Sequence, residues 1–151
     1  MAISHTNSMR MPNPQYRAEL YEDVVPKRFM AWVIDVVLIT LIVGVLTMFS
    51  LFTALFFLPL LYGIVSFLYR WSTLAGRSAT PGMRFMAIQI VTSDGHKLDG
   101  QSAFLHTTGY FVSVVTFPLQ LISIAMMFAT ARNQGLSDTI LGTVAVNRLV
   151  E

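Results

Sequence analysis

The sequence predicts an all-α membrane domain: a helical hairpin of two spans, a third apolar region, and a small cytoplasmic β-sheet built from a loop and the C-terminal tail. Three observations carry that expectation. Of 151 residues, 54% are hydrophobic and only 12% are charged, against about 25% charged in an ordinary soluble domain. Two apolar runs are each long enough to cross a bilayer. The polar segments around them contain β-branched stretches bounded by turn residues. The length suits one domain, divided into a polar leader over residues 1–25 and a membrane domain over residues 26–150.

The leader carries Glu19, Glu22 and Asp23. The apolar run after it is too long for the core of a signal peptide, and no small-x-small cleavage site follows directly, so a retained span is expected. Residues 29–49 are apolar apart from Asp35, Thr40, Thr47 and the small Gly44. At about 1.5 Å per residue they can cross a hydrocarbon core about 30 Å thick. Residues 51–69 form a second run without charge, and Ser50 between the two implies a tight hairpin. Pro59 is expected as a kink tolerated inside a packed membrane helix. The third region, residues 103–131, contains His106, Thr107, Thr108, Gly109, Pro118 and Gln120. It is either one long tilted span or a re-entrant pair of short helices bent at Pro118. The re-entrant pair is preferred, because it lets the tail meet the loop and keeps Arg132 and Arg148 beside the other cations.

Cations set the expected orientation. The segment before the first apolar run carries Arg10, Arg17, Lys27 and Arg28; the loop over residues 70–102 carries Arg70, Arg77, Arg84 and Lys97; the hairpin tip carries none. The N-terminus is therefore expected in the cytoplasm. With a re-entrant third region, all ten Lys and Arg residues lie there. Within the loop, "TPGMR" reads as a turn, and "RFMAIQIVTSDGHKL" as a strand, an Asp-Gly turn and a short return strand. The tail "GTVAVNRLV" is a further β-branched run. Strands are expected over residues 84–91, 97–98 and 143–150, with the sheet's outward face polar. Arg70, Arg77 and Arg84 serve as topology determinants or meet anionic headgroups. Tyr62, Tyr69, Trp71 and Tyr110 suit interfacial belts.

The charged residues raise the functional question. An acidic side chain at a helix centre opposes insertion by about 2.5–3.5 kcal/mol. Asp35 is therefore a hydrogen-bonding packing residue, or a proton or cation site. Arg28, seven residues earlier, shares its face but lies about 10.5 Å away along the axis, too far for direct pairing. Asp138 is expected as an N-cap or turn acceptor for "TILGT" together with Ser137, a role compatible with a salt bridge to Arg28. His106 is an interfacial packing residue or a pH-sensing relay.

Other classes are not expected. The chain has no cysteine, so disulfides, thiolate metal sites and cysteine nucleophiles are excluded. No HExxH, P-loop, GxGxxG or GxSxG motif occurs, so neither an enzyme nor a cofactor is anticipated. His5, His96 and His106 lie in unrelated settings, which argues against a metal site. A formal charge of +2 is too small to suggest nucleic acid. The expected partners are the lipid bilayer and either further copies of the chain or another membrane protein.

Taken together, "KRFMAWVIDVVLI", "ATPGMRFMAIQIV" followed by "DG", and "NQGLSDTILGTVAV" resemble the RDD family of small bacterial membrane proteins. The resemblance implies the inner membrane and assigns the family's named residues to Arg28, Asp35 and Asp138. Two positions depart from it: Met83 stands where a basic residue often follows the turn glycine, and His106 where an arginine often enters the third apolar region. Transport has been suggested for the family. Two functions are therefore expected as alternatives: an oligomer that moves protons or cations, or a non-transporting scaffold, assembly or regulatory partner. The polar residues of the two spans, Thr40, Thr47, Thr53 and Ser66, form no obvious stripe.

Overall fold

Helix α1, Val24–Phe49, carries buried residues at Ala31, Asp35, Ile39, Val43 and Thr47. That spacing of four places them on one side of the helix, while Phe29, Leu41 and Phe49 are left exposed. The computed structural model describes residues 12–148, so Arg10, His5 and the expected strand residues 149–150 lie outside the described residues. A short 3₁₀ turn, Ala18–Leu20, precedes α1.

The hairpin tip is stabilised locally. Leu51 and Phe52 adopt left-handed backbone, and a 3₁₀ turn, Thr53–Phe57, follows. The hydroxyl of Ser50 donates to Thr47 O at 2.8 Å and accepts from Ala54 N–H at 3.1 Å, satisfying backbone groups at the end of α1. Helix α2 spans Leu58–Arg77. This corrects two expectations. Pro59 sits in the first turn of α2, where a missing N–H costs nothing and a fixed φ favours the helix, so it starts the helix and does not kink it. Arg70 and Arg77 belong to α2 and not to the following loop, because the amphipathic pattern continues past residue 69 through the buried Arg70 and Leu74.

Helix α3, Pro81–Phe85, is a single turn started by Thr80, whose side chain accepts from Met83 N–H at 3.2 Å. Strand β1, Ile88–Thr92, pairs antiparallel with β2, Thr143–Asn147, with Ile90 opposite Ala145. The expected first strand is thus shortened, since Arg84 and Phe85 complete α3. The return segment makes only an isolated bridge, Val91 to Lys97, around a turn at Gly95 with φ of +76°. Among the described residues the sheet has two strands.

The expected polar outer face is also corrected. Ile90 and Ala145 pack with Val24, Leu74, Leu98 and Ala103 on one side. Val91, Val144 and Val146 pack with Leu20 and Tyr21 on the other. Both parities of these strands are apolar, so both faces need cover, and the leader supplies the second. Lys27 Nζ donates to Asn147 Oδ1 at 2.8 Å, and Asn147 Nδ2 donates to Glu22 O at 2.8 Å, fastening leader and tail.

The third apolar region is two helices. Asp99 caps α4, Gly100–Val115, through Ser102 N–H. The chain then turns at Thr116 into α5, Phe117–Ala129, with Pro118 in its first turn. The two axes differ by 116°. Helix α6, Leu136–Leu141, ends at Gly142, whose φ of +65° leads directly into β2. The sheet therefore holds both ends of the α4–α5 pair on one side of the molecule. Two helical segments, residues 18–49 and 53–77, are long and apolar enough to cross a membrane, and the bent pair forms a third apolar unit.

Ile90 is fully buried between the sheet and the helix ends. We expect Ile90→Ala to destabilise the fold by about 2–5 kcal/mol, measured by denaturant unfolding in detergent micelles.

Candidate functional site: two buried carboxylates

Asp35 is 1% exposed. Its Oδ1 accepts from the Tyr69 hydroxyl at 2.8 Å and from Gly82 N–H at 2.9 Å; its Oδ2 accepts from the Thr80 hydroxyl at 2.5 Å. Each donor follows from local sequence. Tyr69 projects from α2. Thr80 is held in extended backbone as the N-cap of α3, and Pro81 begins that helix. The Gly82 amide is one of the orphan N–H groups of a helix start, and the carboxylate of α1 satisfies it. Gly82 also allows the approach: a Cβ there would collide with Ala31 O and lie 2.8 Å from Asp35 Oδ1. The "TPG" turn is thus a cradle built against one carboxylate.

Asp138 is equally buried, at 1% exposure. Arg28 Nη1 donates to its Oδ2 at 2.6 Å, and His106 Nε2 lies 2.9 Å from its Oδ1. The Thr143 hydroxyl donates to Oδ1 at 3.1 Å, and Gly135 N–H donates to Oδ2 at 3.2 Å. Asp138 thus pairs with Arg28 as expected, but it is not the N-cap before "TILGT": α6 starts earlier, at Leu136, so Asp138 is its third residue and reaches back to the N–H of the N-cap Gly135. Gly109 permits the packing of α4 on α6, since a Cβ there would stand 2.8 Å from Ser137 Oγ. Burial alone would push the Asp138 carboxyl up. The Arg28 guanidinium and the His106 hydrogen bond outweigh that and hold it well below its ordinary value of 3.8.

Arg28 and Asp35 share a helix but serve different neighbours: Arg28 reaches α6 and Asp35 reaches α2 and α3. His106 joins the Arg28–Asp138 pair. Trp32 of α1 also donates its Nε1–H to the Tyr110 hydroxyl at 2.9 Å, and the Arg70 guanidinium lies over the Tyr110 ring. Sequence reasoning singled out Arg28, Asp35, Asp138 and His106 but missed Tyr69, Thr80 and Gly82 as partners of Asp35. A Pro-Gly turn immediately after a span was the available signal, because such a glycine marks close backbone approach. Among the described residues, no group of three or more His, Asp and Glu side chains is arranged to hold a metal ion.

A helical membrane-type domain is thereby defined, with an arginine and an aspartate on its first helix and a second aspartate that closes the chain upon them. The model of the RDD family matches residues 24–142, and the chain belongs to that family. No curated protein and no solved structure matches it.

Three substitutions test the geometry. Asp35→Leu leaves the Tyr69 and Thr80 hydroxyls and the Gly82 N–H without their acceptor, at about 1–3 kcal/mol each. We expect a loss of at least about 3 kcal/mol, with Asp35→Asn milder because it keeps one acceptor oxygen; unfolding in micelles reads both. Gly82→Ala should destabilise by about 1–3 kcal/mol through overpacking against Ala31 and Asp35, read in the same assay.

Asp138 also predicts an acid response. Its lowered value means that its stabilisation is fully present above about pH 4 and is lost as pH falls below that towards the folded value. Thermal unfolding between about pH 5 and pH 2 should show a steeper loss for wild type than for Asp138→Asn. At neutral pH the variant should be less stable by about 3–5 kcal/mol, because Arg28 loses its buried partner.

Proposed function

We propose that this chain is a multi-pass protein of the bacterial inner membrane, with both termini in the cytoplasm, acting as a non-transporting scaffold, assembly or regulatory module. The observation that carries this reading is the sequestration of Asp35. It is 1% exposed, and three donors fixed by the fold already occupy its oxygens. An intramembrane carboxylate that carries ions needs water or a polar path beside it; this one is packed beneath a turn. The orientation rests on the Lys and Arg positions and on the β1–β2 pairing, which keeps the segments before α4 and after α6 together. Phe49, Phe56 and Val115, each more than 80% exposed, suit lipid or a membrane partner.

One feature favours the transport reading: α4 turns His106, Thr107 and Ser113 inward, and α2 turns Ser66 and Arg70 inward, a polar interior that the spans alone did not suggest. Proteoliposomes separate the two. We expect wild type and Asp35→Asn to give the same proton and sodium flux as protein-free vesicles. A wild-type flux that disappears in Asp35→Asn would overturn the scaffold reading. For topology, a C-terminal reporter should be active only as a cytoplasmic fusion; periplasmic activity would refute the orientation.

A further inference from the structure

Arg70 is an unusual occupant of the helical interior. With Ser66 and Leu74 it makes up the buried face of α2, which packs on α4. The residue is 7% exposed, and its guanidinium carbon lies 4.2 Å from the centroid of the Tyr110 ring. Its Nε–H has no hydrogen-bond partner. The ion pairs among the described residues are Arg17–Glu19, Arg28–Asp138 and His106–Asp138, and none involves Arg70. The buried carboxylates, Asp35 and Asp138, are engaged by other donors. A guanidinium does not shed its proton in proteins, and a buried charge without a counter-charge is strongly unfavourable. The face of Tyr110 attracts the cation but offers no acceptor for its N–H groups.

A second orphan lies on the facing helix. Thr107 is 1% exposed, and its Oγ1 has no partner either. It precedes Tyr110 by three residues, so both lie on neighbouring positions of the same side of α4, the side that meets α2. The α2–α4 contact therefore carries a buried guanidinium whose Nε–H lacks an acceptor and a buried hydroxyl without a partner.

We propose that Arg70 and Thr107 bind a small inorganic monovalent anion of the halide class, with Tyr110 holding the guanidinium in place. Enclosure selects the ligand: a phosphodiester headgroup has two arms that must leave the site, whereas a halide can be surrounded. Depth agrees, because Arg70 lies seven residues inside the end of α2 at Arg77, about 10.5 Å along the axis. The inference concerns binding and is independent of the scaffold reading.

The test is thermal unfolding of the purified full chain in uncharged detergent, titrated with sodium chloride, sodium bromide or sodium gluconate at matched ionic strength. Wild type should show a saturable rise in Tm with chloride and bromide but not with gluconate. Arg70→Gln should abolish the rise. Thr107→Val, which keeps the shape and removes only the hydroxyl, should weaken chloride affinity roughly tenfold and serves if Arg70→Gln does not fold. A wild-type Tm indifferent to the choice of anion would overturn the proposal. So would an unchanged chloride response in Thr107→Val, or a rise produced only by added phosphatidylglycerol, which would make the occupant a headgroup.

Discussion

The hydrogen-bonded seat of Asp35 is the constraint on which the remaining architecture depends. A carboxylate in an apolar helix opposes insertion by about 2.5–3.5 kcal/mol. Three hydrogen bonds to the carboxyl group contribute about 0.5–1.5 kcal/mol each, which together match that opposition. The donors come from α2 and from the N-cap and first turn of α3, so satisfying one side chain fixes three elements. With α3 docked on α1, the chain leaves at a set position and direction, and β1 begins three residues after α3 ends. The sheet's location is thus inherited from the carboxylate.

Asp138 closes the other half by the same physics with a different partner set. Arg28, on the first helix, and His106, on the fourth, converge on a carboxylate that also caps α6. Removing a charge from such a cluster leaves its partners buried and unpaired, so the cluster specifies the fold more sharply than apolar packing would. Arg28 and Asp35 lie on one helix, and through them α1 organises the turn after α2 as well as the end of the chain.

Much of this was legible in the sequence. Apolar length and the absence of charge revealed the first two helices; cation placement and β-branched runs revealed that loop and tail should pair. Pro118 and the polar residues around it signalled the bend. Pro59 was misjudged because proline inside an apolar run looks the same whether it interrupts a helix or begins one; only the 3₁₀ turn before it distinguishes the two. The end of α2 was misjudged for a related reason, since a buried Arg70 carries the hydropathy of a loop residue. The second covered face of the sheet could not be anticipated, because Leu20 and Tyr21 sit in a polar leader and their packing on Val144 is a long-range contact. The partners of Asp35 were hidden in the same way: hydrogen bonding across 34 to 47 residues leaves no local periodicity.

That separation along the chain has a consequence for biogenesis. Ribosomes extend chains at about 5–20 residues per second. The Gly82 amide follows Asp35 by 47 residues, which amounts to roughly 2–10 s of synthesis. Asp138 follows Arg28 by 110 residues, roughly 5–20 s. The first helix therefore leaves the ribosome with its arginine and its aspartate both lacking their final partners, and it must enter the bilayer on the hydropathy of its other residues. The aspartate is seated once the loop emerges. The arginine waits until α6 has been made, so until then the domain is a membrane hairpin with an open ionic contact.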